Sequence, residues 1–231
     1  MISILIPTLN EARVIERTLL ALAPATRRGD AEVIVADGGS TDGTARIAAR
    51  YAQVVRCPRG RGRQLNEAAR HAAGAVLFFV HADMQVPDGA LAAISEQLSR
   101  GFDGGGFANE FDTHDRKIKR LGRIMNLRLF ANREQSDRGI FYGDNGIFVK
   151  ADVFAELGGF RDIPIMEDYD FSIRMRRRFK VQQIKRPKLI VSARRHVESG
   201  FIKTRMQWIV IRRLYQLGVS PHLLARWYGF K

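Results

Sequence analysis

AVLFFVHADMQVPD, residues 75–88, is the stretch that decides the fold. Ala75 to Val80 is an unbroken apolar run, the pattern of a strand buried on both faces. It ends on His81 and Asp83, and Pro87 blocks any continuation of a central strand. A carboxylate at the end of a buried strand is costly unless it is used.

Working outward, the first hundred residues repeat this design. Ile2 to Ile6 reads as a strand stopped by Pro7, and Glu32 to Ala36 as a second that ends at Asp37. Gln53 to Arg56 is a third, short strand. Between them lie helical patterns: residues 11–23, with Asn10 as N-cap; a helix capped by Thr41 or Asp42 and running to about Tyr51; and a helix from about Arg63 to Ala73. Alternation at this spacing predicts an α/β fold, a mostly parallel Rossmann-like sheet flanked by helices. Ligands bind such sheets beyond the carboxyl ends of the strands. Asp37 and Asp83 are therefore expected to line one crevice.

After residue 100 the pattern loosens. Strands are expected at 104–107, 146–149 and 189–192, and helices at 116–130, 151–157, 167–179, 201–217 and 220–228. No repeat and no long linker divides the chain, so one domain is expected over 1–231. Its parts are a ligand-binding half (1–100), a catalytic half (101–200) and basic C-terminal helices (201–231).

Hydrophobic residues make up 45% of the 231, enough for a sizeable core. The single cysteine, Cys57, excludes an intrachain disulfide framework. No leader peptide is expected, because Met1 runs straight into the first strand, and no run reaches the ~18 apolar residues of a membrane span. The expected location is the cytoplasm. Net charge is +14 and lopsided: residues 1–115 hold 12 Lys/Arg against 14 Asp/Glu, residues 116–231 hold 26 against 10. A half so basic meets an anionic partner or stays solvated.

Asp37-Gly-Gly-Ser-Thr-Asp42-Gly is not an EF-hand loop, because Asp42 stands at the sixth position, where glycine belongs. Nor does a G-x-G-x-x-G follow the first strand. Gly60-Arg61-Gly62-Arg63 before a helix offers amides and guanidinium groups to phosphate, or is simply a solvated basic loop. Asp83 suits a hard cation such as Mg²⁺ or Mn²⁺, completed by water and substrate phosphates. His81 is either a ligand or a loop hydrogen-bonder. Glu167, Asp168 and Asp170 open a helix, where acids favour the macrodipole. Crowding of Glu167 and Asp168 can also raise one pKa toward that of a general base.

Together these pieces resemble a family 2 glycosyltransferase with the GT-A fold. The resemblance rests on Ile6-Pro-Thr-Leu-Asn-Glu11, Asp37-Gly-Gly-Ser-Thr-Asp-Gly-Thr44, Asp83 and Glu167-Asp168. Gly60-Arg-Gly-Arg-Gln-Leu-Asn66, His81-Ala-Asp83, Gly143-Asp144, Gly158-Gly-Phe160, Ser192-Ala-Arg-Arg195 and Leu217-Gly-Val-Ser-Pro221 are similar to a compact bacterial subgroup named for arsenosugar biosynthesis. The resemblance implies inverting transfer of one sugar from a nucleotide-diphosphate sugar, UDP-linked by family habit, to an acceptor hydroxyl. It implies that Asp37 contacts the base, with Pro7, Thr8, Asn10, Glu11, Gly62, Arg63, His81 and Ala82 around the nucleotide. Asp83 would hold Mg²⁺ or Mn²⁺, Asp168 would be the base with Glu167 beside it, and Asp144 and Arg195 would face acceptor or diphosphate.

The chain departs from the pattern at three places. His81 replaces the first acid of the family's D-x-D, His196 follows the double arginine where an aromatic is usual and becomes a candidate metal ligand, and Asn145 replaces a glutamine. The Q-x-x-R-W signature of processive synthases is absent.

Two other classes compete. A nucleotidyltransferase would need a G-x-G-[ST]-R loop after the first strand, and Pro7-Thr8-Leu9-Asn10-Glu11 is not one. A nucleic-acid binder is suggested by charge alone and leaves the strand-end aspartates unexplained, so no nucleic-acid partner is expected. For residues 201–228 three readings stand: packing on the sheet near the acceptor, a homodimer interface, or contact with the inner face of an anionic membrane through Trp208 and Trp227. Apolar residues on more than one helix face favour burial against protein.

Overall fold

The computed structural model describes residues 1–113, 115–116, 118–120, 124, 140–194 and 200–229. Most of the helix expected at 116–130 lies outside these residues, as do Arg195 and His196.

One seven-stranded sheet organises the chain, in the order β3-β2-β1-β4-β6-β5-β7. Strands β1 (Ile2–Thr8), β2 (Ala31–Asp37), β3 (Gln53–Arg56) and β4 (Val76–Phe79) run parallel. Strand β6 (Phe148–Lys150) is antiparallel to both neighbours, β4 and β5 (Gly104–Asp112). Strand β7 (Val181–Ser192) closes the sheet, parallel to β5 and with a register shift opposite Phe107 and Asn109.

The period of two along each strand builds a core on each face. Ile4, Ile6 and Phe78 point into one core, which is roofed by α1 (Ile15–Arg27), α2 (Thr44–Ala48) and α4 (Ala90–Ser99). Leu5, Leu77 and Phe79 point into the other, under α3 (Arg61–Arg70), α5 (Ala151–Glu156) and α6 (Glu167–Arg178). There Phe79 meets Phe160 edge-on, with ring centroids 4.9 Å apart, and Phe160 meets Phe171 at 4.6 Å. Both faces of the central strands are covered, so their sequences read as apolar runs rather than alternating ones.

Several local expectations need correction. Helix α1 starts at Ile15 without a side-chain cap. Asn10 is instead left-handed (φ 57°), and its Oδ1 accepts the Thr41 amide at 2.9 Å while its own amide donates to Ser40 Oγ at 2.9 Å. The N-cap of α2 is Gly43 rather than Thr41 or Asp42, although Asp42 Oδ1 accepts the Thr44 amide at 3.0 Å. The loops after β1 and β2 are thus laced to each other. Helix α4 and the first eight residues of β7 were not expected from the sequence.

Helices α7 (Phe201–Gln216) and α8 (Pro221–Tyr228) pack on Ile140, Ile165, Met166 and Tyr169 through Ile211, Leu224 and Ala225. Trp208 is half-buried against Tyr228, with ring centroids 5.1 Å apart, whereas Trp227 is exposed.

Candidate functional site

The carboxyl ends of β1, β2 and β4 carry the residues that the sequence singled out. Asp37, the last residue of β2, is 2% exposed. Its Oδ2 accepts the Gly39 and Ser40 amides at 3.2 and 3.0 Å, which shapes the turn, and its Oδ1 lies 3.4 Å from the Thr8 hydroxyl. Beyond β4, Thr18 of α1 donates to the Ala82 and Met84 carbonyls at 2.7 and 3.1 Å, and so fixes the turn that carries Asp83.

Asp83 and Glu11 are both half-buried, and neither carboxylate has a hydrogen bond or ion pair among the described residues. Burial raises the Glu11 pKa above the usual carboxylate value, the Asp83 charge raises it further and Arg194 opposes. Two carboxylates whose charges repel each other suit a hard divalent cation whose remaining ligands are water and phosphate oxygens. Among the described residues no cluster of three metal-ligating side chains forms.

A narrow cleft beside this pair is lined by Pro7, Arg61, His81, Gly143, Glu167 and Asp168. Asp168 is half-buried, and its Oδ2 accepts the Gly143 amide at 2.7 Å. Gly143 is closely approached here: a Cβ would stand 2.3 Å from His81 Nε2 and 3.4 Å from Asp168 Oδ2. His81 and Asp168 therefore flank one backbone segment.

Glu167 is 2% exposed and accepts from Arg61 Nη1 at 2.9 Å. Burial is the main cause that pushes its pKa up, to about 7; Arg61 opposes and Asp168 adds. Crowding by Asp168 is thus a lesser cause than desolvation. Asp170, the third acid, is consumed by Arg174 at 2.7 Å and Arg161 at 3.0 Å. The residue before this acidic run, Met166, is left-handed (φ 72°), a conformation rare for a side chain of this kind. Its burial under α7 and α8 holds it there.

Helix α3 works as a clamp. Gln64 Nε2 donates to the Thr8 and Ala36 carbonyls at 2.8 and 2.9 Å, which ties the ends of β1 and β2 together. Asn66 takes both backbone groups of Phe160, at 2.8 and 2.9 Å. A Cβ on Gly62 would sit 2.6 Å from the Arg161 carbonyl oxygen, so only glycine lets the two segments approach so closely.

The structure thus gathers Pro7, His81, Glu167 and Asp168 in the cleft, with Glu11 and Asp83 beside it. Thr8 and Asp37 lie at the adjoining strand ends. Arg63 points outward, exposed and paired with Asp162 at 2.7 Å. Ala82 is buried, and Asn10 serves the loop. Asp144 is exposed on the Gly143–Asn145 turn, whose carbonyl at Asp144 accepts from Asn109 at 2.8 Å. Asn145 is buried and bound to the Phe107 carbonyl and the Tyr142 amide, both at 3.0 Å. Sequence reasoning noted the motif that holds Arg61, Gln64 and Asn66 but missed the contacts these three make. The signal lay in helical phase: Arg61 shares the inward face of Leu65 and Ala68, while Arg63 does not.

Known proteins share this frame. The S. aureus TarS 1–349 structure superposes with a TM-score of 0.68 at 18% identity, over 92% of this chain and 65% of that one. The mannosyltransferase PcManGT from Pyrobaculum calidifontis, solved in complex with GDP-Man and Mn²⁺, gives 0.63 at 21% identity, over 82% and 56%. These likenesses establish the GT-A fold. The succinoglycan biosynthesis protein ExoA of Rhizobium meliloti (strain 1021) is 53% identical over 49 residues, 21% of this chain and 15% of ExoA. This chain spans less than two thirds of the length of each. The model of the family described as glycosyl transferase family 2 matches residues 3–184. That match runs from the start of β1 into β7 and takes in every strand of the sheet, and the chain belongs to glycosyl transferase family 2.

Proposed function

We propose that this protein transfers one sugar from a nucleotide-diphosphate sugar to an acceptor hydroxyl, with inversion at the anomeric carbon. The observation that carries the proposal is two separate acidic sites beyond the strand ends: the Glu11–Asp83 pair, without a partner among the described residues, and Asp168 held by the Gly143 amide. A direct displacement needs charge neutralised at the leaving diphosphate and a base on the opposite face of the sugar. Neighbouring folds solved with UDP-GlcNAc and with GDP-Man and Mn²⁺ support a nucleotide-sugar donor.

Asp83 and Glu11 would hold Mg²⁺ or Mn²⁺, which when bound neutralises the diphosphate charge. Asp168 accepts the acceptor's hydroxyl proton as the oxygen bonds to the anomeric carbon and the bond to the diphosphate breaks. Asp168 suits this role better than Glu167, which is enclosed and occupied by Arg61. Arg61 keeps a positive charge in the cleft and holds Glu167 in place. Asp37, behind Thr8, is the candidate base-contacting group, through Oδ1. His81 lines the same cleft as Asp168, and its ring lies close against Gly143.

Calorimetric titration with UDP and with GDP, with and without Mn²⁺, tests the donor site. Metal-dependent binding of one nucleotide, lost in Asp83→Ala and kept in Asp168→Asn, is the expected result. No binding of either nucleotide would overturn the proposal.

A further inference from the structure

The C-terminal helical hairpin buries one face and leaves another bare. On α7 the exposed positions Lys203, Met206, Val210, Arg213 and Leu217 recur at spacings of three and four and form one stripe. On α8 Leu223 and Trp227 are exposed one turn apart, with Arg226 beside them. Of the seven large apolar side chains exposed among the described residues, five lie on this hairpin: Met206, Val210, Leu217, Leu223 and Trp227. Scattered exposed apolar residues need no explanation, but a concentration of this kind does.

Charge decides what fits the patch. Residues 201–231 contain six Lys/Arg and no Asp or Glu. A second copy would set two such faces against each other with no acid on either side, a repulsive arrangement. Nucleic acid would satisfy the cations and leave the apolar stripe in water. An anionic bilayer surface satisfies both, with Trp and Leu at the headgroup boundary and Lys and Arg toward the phosphates. No helix among the described residues is long and apolar enough to cross a membrane, so contact by these helices would be in the plane of the surface.

We propose that the outer face of α7 and α8 docks on an anionic lipid surface. The floor on which the hairpin packs includes Met166 and Tyr169, which flank Glu167 and Asp168. Docking would set the segment that carries Glu167 and Asp168 one helix layer from the bilayer, within reach of a lipid-borne hydroxyl as acceptor. That last clause rests on the glycosyl-transfer reading; the docking does not.

The test is flotation of the full chain with phosphatidylcholine vesicles, with and without phosphatidylglycerol, at low and high salt. Binding is expected only with phosphatidylglycerol and should weaken with salt. Arg213→Gln with Arg226→Gln should weaken it about thirtyfold, at roughly fivefold per lost cation. Leu223→Glu with Trp227→Glu should abolish it. Circular dichroism and thermal melts of each variant verify folding, and nucleotide binding measured in the same preparation separates a failed docking site from a failed donor site. Three outcomes overturn the proposal: no flotation of a folded wild type, flotation unchanged in both variants, or a dimer or DNA complex that needs Trp227 while vesicles are ignored.

Discussion

Arg61 Nη1 donates to Glu167 Oε1 across 2.9 Å, and this ion pair joins a helix of the first half of the chain to a helix of the second. Glu167 is nearly sealed, so removing its partner is expected to be costly. Arg61→Met should destabilise the protein most at high pH, because it leaves the buried Glu167 carboxyl without its partner and raises its pKa further. The loss should shrink at pH 5.5, where the carboxyl takes up a proton. Thermal melts at the two pH values check this.

The same pair predicts a pH dependence in the wild type. The Glu167 pKa is raised in the folded state, from 4.5 to about 7, so folding binds a proton in that window. Its stabilising contribution is complete below pH 4.5 and is lost as pH rises through about 7. Glu167→Gln should flatten the melting temperature across this range relative to wild type. An unchanged slope would show that some other group titrates there.

Asp168 and Asp83 should separate by function. Asp168→Asn is expected to lower turnover about 10²–10⁴-fold, the usual worth of a general base, with nucleotide affinity unchanged. Asp83→Ala should lose the metal-dependent part of nucleotide binding, and chelation of the divalent cation should reproduce that loss in the wild type. Calorimetry with turnover assays on the same preparations distinguishes the two.

Asn66 offers a test of the clamp. Asn66→Ala removes both hydrogen bonds to the Phe160 backbone, at 2.8 and 2.9 Å. Leaving those groups unpaired should cost about 1–3 kcal/mol. Asn66→Asp keeps the acceptor for the Phe160 amide but sets a carboxylate oxygen against the Phe160 carbonyl, so it should be no more stable than Asn66→Ala in chemical denaturation.

Much of the site was legible because central strands are buried on both faces. Their apolar runs in β1, β2 and β4 announce themselves, and an acid at such a strand's end, as at Asp37 and Asp83, stands out. The first part of β7 was not legible. It is an edge strand paired only with β5, broken by a register shift, and Gln182, Lys185 and Arg186 disrupt any apolar pattern. Helix α4 follows Gly89, with no side-chain cap to mark its start. That Arg61 rather than Arg63 pairs with Glu167 was not legible, because a motif shows which residues are near one another, while helical phase decides which one faces inward. Glu11 as the companion of Asp83 depends on a loop lacing that no local pattern encodes.

The clamp made by α3 also limits how this protein can be divided. Severing the chain near residue 100 would leave β4 without β6, Asn66 without Phe160 and Arg61 without Glu167. Each piece would expose an unpaired sheet edge and one half of a shared aromatic core. Swapping halves between relatives to change the donor should therefore yield insoluble chimeras, unless the loop at 158–167 travels with the helix it grips.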